Sequence, residues 1–335
     1  MIHGHGDDAY KYRDIRLNFS SNIPTFADLS ALEDYLRGRL SVIRSYPEPS
    51  PRTLEAMIAD SIGRSADEVL VTSGATEAIY LIAQSLSLTL PQGKGTYSVL
   101  HPTFSEYDSA CRMFGLRETE CGDLYWLCNP NNPTGEVRDE GFIRELAARH
   151  RWVIVDQSYE DYVLGTLPNG RRLSTLPREG DGGGFITLHS MTKKYCIPGL
   201  RLGYVTAETE VIAQLRRLCR PWAVNALALE AGKWLVEHQP RLIDMPAYLA
   251  EAQRLRAALD AIPGIHAQET QTNFMLCTIE GRTAAELKEY LAQQHGILIR
   301  DASNFPGLSP HHFRVAAQRP EEDDELIEAM MHYEL

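Results

Sequence analysis

Lys193 stands in the run Ser190-Met191-Thr192-Lys193-Lys194-Tyr195-Cys196-Ile197-Pro198-Gly199-Leu200-Arg201. A lysine amine is a nucleophile toward carbonyl compounds, with which it forms Schiff bases. A hydroxyl stands three residues before it and a guanidinium eight residues after it. Together Ser190 and Arg201 make an anion site: one hydroxyl donor and one permanent, forked cation. A lysine that works through a phosphate-bearing carbonyl cofactor needs such a neighbour. Gly74-Ala75-Thr76 opens a helical run that extends to about Leu86. The free N–H groups and partial positive charge of that helix start suit a phosphate at Ala75 and Thr76, and Thr76 adds a hydroxyl. The same residues would also serve as an ordinary N-cap. Asp156 ends the apolar run Trp152-Val153-Ile154-Val155. A carboxylate there is costly to bury without a partner.

These groups need a scaffold. Ser98-Val99-Leu100, Leu124-Tyr125-Trp126-Leu127, Trp152-Val153-Ile154-Val155, Phe185-Ile186-Thr187-Leu188 and Leu202-Gly203-Tyr204-Val205 read as short buried strands. Their continuous apolar character points to an α/β fold with a mostly parallel sheet covered by helices on both faces. Asn132 follows one strand, Asp156 ends another and Lys193 follows a third. Ligands of open α/β sheets collect at those carboxyl ends. From about Ala228 the character changes. A helical pattern through Ala247 toward Ala261 is followed by strand-like Phe274-Met275-Leu276-Cys277, Ile297-Leu298-Ile299 and Phe313-Arg314-Val315. This predicts a smaller α+β domain. Gly182-Gly183-Gly184 reads as a loop before a strand rather than a phosphate cradle, since no helix follows it.

Bulk properties narrow the function. A chain of 335 residues with 44% hydrophobic content can bury a sizeable core in more than one domain. A formal charge of -12 and the lack of any long basic run argue against a nucleic-acid partner. Six cysteines show no CxxC pair and no metal-ligand spacing, so no metal site is expected and the thiols read as reduced. The polar start Met1-Ile2-His3-Gly4-His5-Gly6 is not a signal peptide, and no long apolar run suggests a membrane span. A cytoplasmic protein is expected.

The four segments around Gly74, Asn132, Asp156 and Lys193 resemble, in order and spacing, the fold-type-I pyridoxal-phosphate enzymes of the aspartate aminotransferase superfamily. The resemblance covers nearly the whole chain. It implies a large cofactor-binding α/β domain over 41–227 and a small α+β domain from 1–40 and 228–335. It implies pyridoxal 5'-phosphate as cofactor, bound covalently to Lys193. The turn at Ala75 and Thr76, with Ser190 and Arg201, would hold the phosphate. Asp156 would face the pyridine nitrogen, keeping it protonated and the ring an electron sink. Tyr159 and Asn132 would hydrogen-bond the 3'-oxygen, and Tyr107 would stack on the ring. Tyr46, in Arg44-Ser45-Tyr46-Pro47, matches a tyrosine that reaches the neighbouring subunit's cofactor phosphate. That implies a homodimer with shared active sites.

Within the superfamily, Asn18-Phe19-Ser20-Ser21-Asn22-Ile23, Arg220-Pro221-Trp222-Ala223-Val224-Asn225-Ala226-Leu227 and the run from Ile297 to Leu308 resemble two families. The L-threonine-O-3-phosphate decarboxylases come first and the histidinol-phosphate aminotransferases next. The first implies decarboxylation of L-threonine O-3-phosphate to (R)-1-amino-2-propanol O-2-phosphate in cobalamin biosynthesis; the second implies transamination. Tyr159, where the decarboxylases usually carry Phe, and His5-Gly6-Asp7, where they carry His-Gly-Gly, depart from the first pattern. A phosphorylated amino acid needs two anion sites. Arg314 matches the carboxylate-binding arginine. Arg300, Asn304, Asn22 and His5 are candidates for the second anion.

Overall fold

The computed structural model describes residues 7–90, 94–164 and 184–333. In chain order it contains β1 (Leu17–Asn18), α1 (Ser30–Arg39), α2 (Arg52–Ile62), β2 (Val69–Thr72), α3 (Gly74–Thr89), β3 (Thr96–Val99), α4 (Glu106–Met113) and β4 (Arg117–Glu118). Then follow β5 (Leu124–Cys128), α5 (Glu140–Arg149), β6 (Trp152–Asp156), β7 (Gly184–His189), α6 (Met191–Lys194), β8 (Gly203–Thr206), α7 (Thr209–Arg216), α8 (Ala226–His238) and α9 (Met245–Asp260). The chain closes with β9 (Ile265–Ala267), β10 (Phe274–Ile279), α10 (Ala284–Tyr290), β11 (Ile297–Leu298), β12 (Arg300–Asp301), β13 (His312–Ala316) and α11 (Pro320–Met331).

A seven-stranded sheet runs in the order β2-β8-β7-β6-β5-β3-β4. From β4 to β7 every pairing is parallel, and β8 is antiparallel to both β7 and β2. The expected strands are all present, within one or two residues of their read boundaries. The period-2 alternation of side chains explains how each strand feeds two cores. Leu124 and Trp126 pack with Leu70, Ile79, Ile82, Ile154, Ile186 and Val205 on one face. Tyr125 and Leu127 pack with Ile143, Leu146, Val153 and Val155 on the other. Strand β2 and the short β4 were not among the expected strands; β2 is buried throughout and β4 is exposed.

The antiparallel entry of β8 positions the site. In its register Gly203 lies opposite Thr72 and Tyr204 opposite His189. The carboxyl ends of β2 and β7 therefore meet the start of β8. The segment 190–201, which turns the chain around, lands beside the first turn of α3.

A second, four-stranded antiparallel sheet has the order β12-β13-β10-β9. It packs with α9, α10 and α11 in a core that takes in Leu17 and Phe19 from the N-terminal segment and Tyr159 and Tyr162 from the loop after β6. The run Ile297-Leu298-Ile299 does not form one strand. Ile297 and Leu298 pair in parallel with Leu17 and Asn18, and the chain then shifts so that Arg300 and Asp301 pair with Arg314 and Phe313. Helices α1 and α8 pack elsewhere: Leu32, Ala228, Leu229, Ala231 and Leu235 share a core with Leu54, Ile58, Val69, Val71 and Leu202. No helix among the described residues is long and apolar enough to cross a membrane.

Candidate active site

Most of the predicted site residues converge on one cavity of about 270 Å³. Ala75, Thr76, Tyr107, Asn132, Asp156, Tyr159, Ser190, Lys193, Arg201, Arg300 and Arg314 all line it.

Lys193 projects from the short helix α6, which is pinned on both sides. Thr192 N–H donates to Leu202 O at 3.2 Å, and the Tyr162 hydroxyl donates to Lys193 O at 2.7 Å. The Lys193 amine donates to Ser21 O at 3.0 Å and sits 5.7 Å from the Tyr159 ring centre. Burial, and then the nearby Arg314 and Arg201, lower its pKa to about 8. All three disfavour the charged form, so the amine is close to its nucleophilic state near neutral pH.

The anion cradle lies beside it. Gly74 opens α3 with φ 82°, a conformation that glycine adopts without strain. Glycine is also needed for space: a Cβ there would sit 2.6 Å from Nη2 of Arg201. Gly203 is equally tight, since its Cβ would lie 2.9 Å from the backbone nitrogen of Ala75. The Ser190 hydroxyl lies 2.7 Å from that of Thr192, which also lines the cavity and was missed in the sequence. Helix N-terminus, two hydroxyls and a guanidinium thus converge as a phosphate requires.

Asp156 is buried at the end of β6. Its Oδ2 accepts from the Tyr107 hydroxyl at 2.8 Å, and its Oδ1 accepts from Ser158 N–H at 2.9 Å. Each carboxylate oxygen can take a further donor, so a protonated ring nitrogen fits beside it. The expected stacking role of Tyr107 does not fit this geometry. Its ring is stacked on Trp126, with centres 5.1 Å apart and planes 13° apart, and its hydroxyl is committed to Asp156. Tyr107 holds the carboxylate instead. Phe104, edge-on to Tyr107 at 5.7 Å, also lines the cavity and is only half-buried. Phe104 stands three residues before Tyr107 and was not expected at the site.

At the other end two arginines face each other. Arg314 on β13 is 4% exposed and Arg300 on β12 is 7% exposed. They are directly paired in strand register. Arg314 donates to Asn132 Oδ1 and, at 2.6 Å, to Ser20 O, while its Nε has no hydrogen-bond partner among the described residues. Burial lowers its pKa to about 10, and Arg300 is lowered by burial too. Asn132 is thus tied to Arg314, beyond its expected place at the cofactor's 3'-oxygen.

The remaining candidates stand behind this wall. Asn304 accepts from Arg300 at 2.7 Å and acts through it. Asn22 is buried and donates to the Tyr159 hydroxyl at 3.4 Å. Burial raises the Tyr159 hydroxyl to about 12. Neither asparagine is among the residues lining the cavity. His5 lies outside the described residues. Tyr46 is 83% exposed and packs on Trp222, outside the cavity of its own chain. Away from the cavity, His101, Asp108 and Glu118 bring ligand atoms within 4.8 Å of one another. Arg112 already pairs with Glu118 there at 3.3 Å.

Known proteins resemble this chain in sequence and fold. Residues 121–330 match the family described as aminotransferase class I and II. The threonine-phosphate decarboxylase of Salmonella typhimurium is 28% identical, over 94% of this chain and 90% of its own. The histidinol-phosphate aminotransferase of Roseiflexus castenholzii is also 28% identical, over 91% of this chain and 84% of its own. The crystal structure of L-threonine-O-3-phosphate decarboxylase from Porphyromonas gingivalis superposes with a TM-score of 0.83 at 32% identity, covering 94% of this chain and 98% of that one. The chain therefore belongs to the aminotransferase class I and II family, with pyridoxal 5'-phosphate as its cofactor.

Proposed function

We propose that this enzyme decarboxylates L-threonine O-3-phosphate to (R)-1-amino-2-propanol O-2-phosphate. The observation that carries the reading is the pair Arg300 and Arg314, buried and opposite each other on neighbouring strands. Like charges in that position repel and are costly to desolvate unless anions lie between them. A substrate with a carboxylate and a second anionic group provides both anions. The related decarboxylases of similar length support the same reading.

When bound, pyridoxal phosphate supplies an electron sink for the pair released as a bond at the substrate Cα breaks. Ala75, Thr76, Ser190, Thr192 and Arg201 would hold its phosphate, Asp156 its ring nitrogen and Phe104 a ring face. Arg314, oriented by Asn132 and Ser20, takes the substrate carboxylate. Arg300, oriented by Asn304, takes the phosphate ester. Gripping both ends fixes which Cα bond stands in the reactive orientation. The Cα–carboxylate bond breaks, CO₂ leaves without the bonding pair, and Lys193 returns a proton to Cα. An amine that titrates at about 8 can carry that proton near neutral pH. Binding energy from the remote phosphate serves the reacting bond.

Tyr159 favours a second reading, transamination of histidinol phosphate, because a tyrosine there is the aminotransferase choice. One paired assay separates them. Holoenzyme with L-threonine O-3-phosphate is followed for CO₂; holoenzyme with histidinol phosphate and 2-oxoglutarate is followed for glutamate. CO₂ release is expected. Glutamate alone would overturn the proposal.

A further inference from the structure

Phe305 lines the same cavity as Arg300 and Arg314. It follows Asn304 in the turn after β12. Its side chain packs in a small core with Leu276, Ala302 and Leu308. Its N–H donates to Ala302 O at 3.1 Å, and its carbonyl accepts from Leu308 N–H at 3.0 Å. Ala302 N–H in turn donates to His312 O at 2.9 Å, on the strand that carries Arg314. Inside the second of these turns Gly307 takes φ 88°, which glycine adopts without strain. Backbone and packing thus both hold the ring, which is 6% exposed.

The guanidinium of Arg300 lies over the face of that ring, its Cζ 5.3 Å from the ring centre. Two neutral acceptors hold it as well, the Asp301 carbonyl and, at 2.7 Å, Asn304 Oδ1. Arginine and phenylalanine are both buried, and a cation is drawn to an aromatic face most strongly where water is excluded. A guanidinium donates in its own plane, as a fork. A ring against its face occupies none of those donors and fixes the plane in which they point. An aliphatic side chain could fill the same space but has no negative face to offer.

We propose that Phe305 is a positioning residue: its aromatic face fixes the plane of the Arg300 guanidinium so that the fork meets the anionic tail of the substrate. The ring therefore adds to the binding of the phosphate ester without touching its charge. This deepens the proposed function and rests on its placement of the phosphate ester at Arg300.

The test compares one amino acid with and without its phosphate. Dissociation constants of L-threonine O-3-phosphate and L-threonine are read in holoenzyme by rapid mixing, from the absorption of the bound cofactor before turnover. Their ratio isolates the tail and cancels any general loss of binding. Phe305→Leu keeps an apolar side chain and removes the ring. It should reduce the preference for the phosphate ester by at least about threefold, the lower range for a cation on an aromatic face. Phe305→Tyr keeps the ring and should hold the preference within about twofold of wild type. In an Arg300→Gln background, Phe305→Leu should move the preference by less than about twofold, because the ring acts only through the guanidinium. An unmoved ratio in Phe305→Leu, an equal loss in Phe305→Tyr, or a loss that persists without the arginine overturns the assignment. A wild-type protein that binds both ligands equally rejects the phosphate at Arg300 and the role of Phe305 together. A reduced ratio without CO₂ release from L-threonine O-3-phosphate keeps Phe305 and rejects the proposed reaction. CO₂ release with an unmoved ratio rejects Phe305 alone.

Discussion

At the scale of single residues, the chemistry depends on a lysine that gives up its proton far more readily than usual because of where it sits. Lysine ordinarily titrates near 10.4. Here burial comes first and two arginine charges second, and the amine titrates at about 8. Burial and both arginine charges act against the cation, so the protonated, non-nucleophilic form takes over only below that pH. Apoenzyme should therefore capture pyridoxal phosphate at a rate that rises about tenfold per pH unit up to about 8 and then levels off. Stopped-flow absorbance measures this directly. A rate that keeps climbing toward 10 would show an unperturbed lysine. Tyr107 teaches a related lesson. Its identity was legible, but its partner was not, because stacking on Trp126 depends on β5 and α4 lying side by side.

At the scale of elements, the cradle is made by one reversal of strand direction. Because β8 enters antiparallel, Arg201 folds back over the first residue of α3. Gly74 has neither the conformation nor the space for a side chain. Gly74→Ala should weaken cofactor phosphate binding by tenfold or more, as the new methyl pushes Arg201 aside. The same change should lower stability by roughly 1 kcal/mol or more, the cost of a side chain forced into the left-handed region. Cofactor titration by fluorescence and thermal melting of the apoenzyme measure the two effects separately. Unchanged cofactor affinity would mean that Arg201 is not the phosphate ligand. The split between β11 and β12 has a different use. It turns a single apolar run into two strands and sets Arg300 opposite Arg314.

At the scale of the whole molecule, cores rather than chain order divide the structure. We propose that α1 and α8 belong with the seven-stranded sheet, since Leu32 and Ala228 share a core with Val69 and Leu202. The N-terminal segment near Leu17 goes with the smaller sheet. This redraws the boundaries expected at 40/41 and 227/228. The assembly is proposed to be a twofold dimer. Tyr46, Ile43, Leu40 and Trp222 are 83%, 66%, 50% and 47% exposed, a set of large apolar side chains that a monomer gains little by displaying. If Tyr46 reaches the partner's cofactor phosphate, Tyr46→Ala should weaken cofactor binding several-fold while each cavity keeps its own lining. Mixing Tyr46→Ala with Lys193→Ala subunits should then restore one intact site per mixed dimer, read as recovered activity. No recovery, with mixed dimers demonstrated by sedimentation, would reject a shared site.

The amino-acid sequence alone determined five strands of the larger sheet, the lysine, the turn that opens α3 and the carboxylate, because each rests on local chemistry: apolar runs, a helix start, a charged group at a strand end. Only the tertiary structure decided which arginine faces which and what Tyr107 touches. Those contacts join residues far apart in the chain, such as Tyr107 with Asp156, Ser20 with Arg314 and Gly74 with Arg201. Strand register, the direction of β8 and close packing of the interior set them, and no local pattern encodes those.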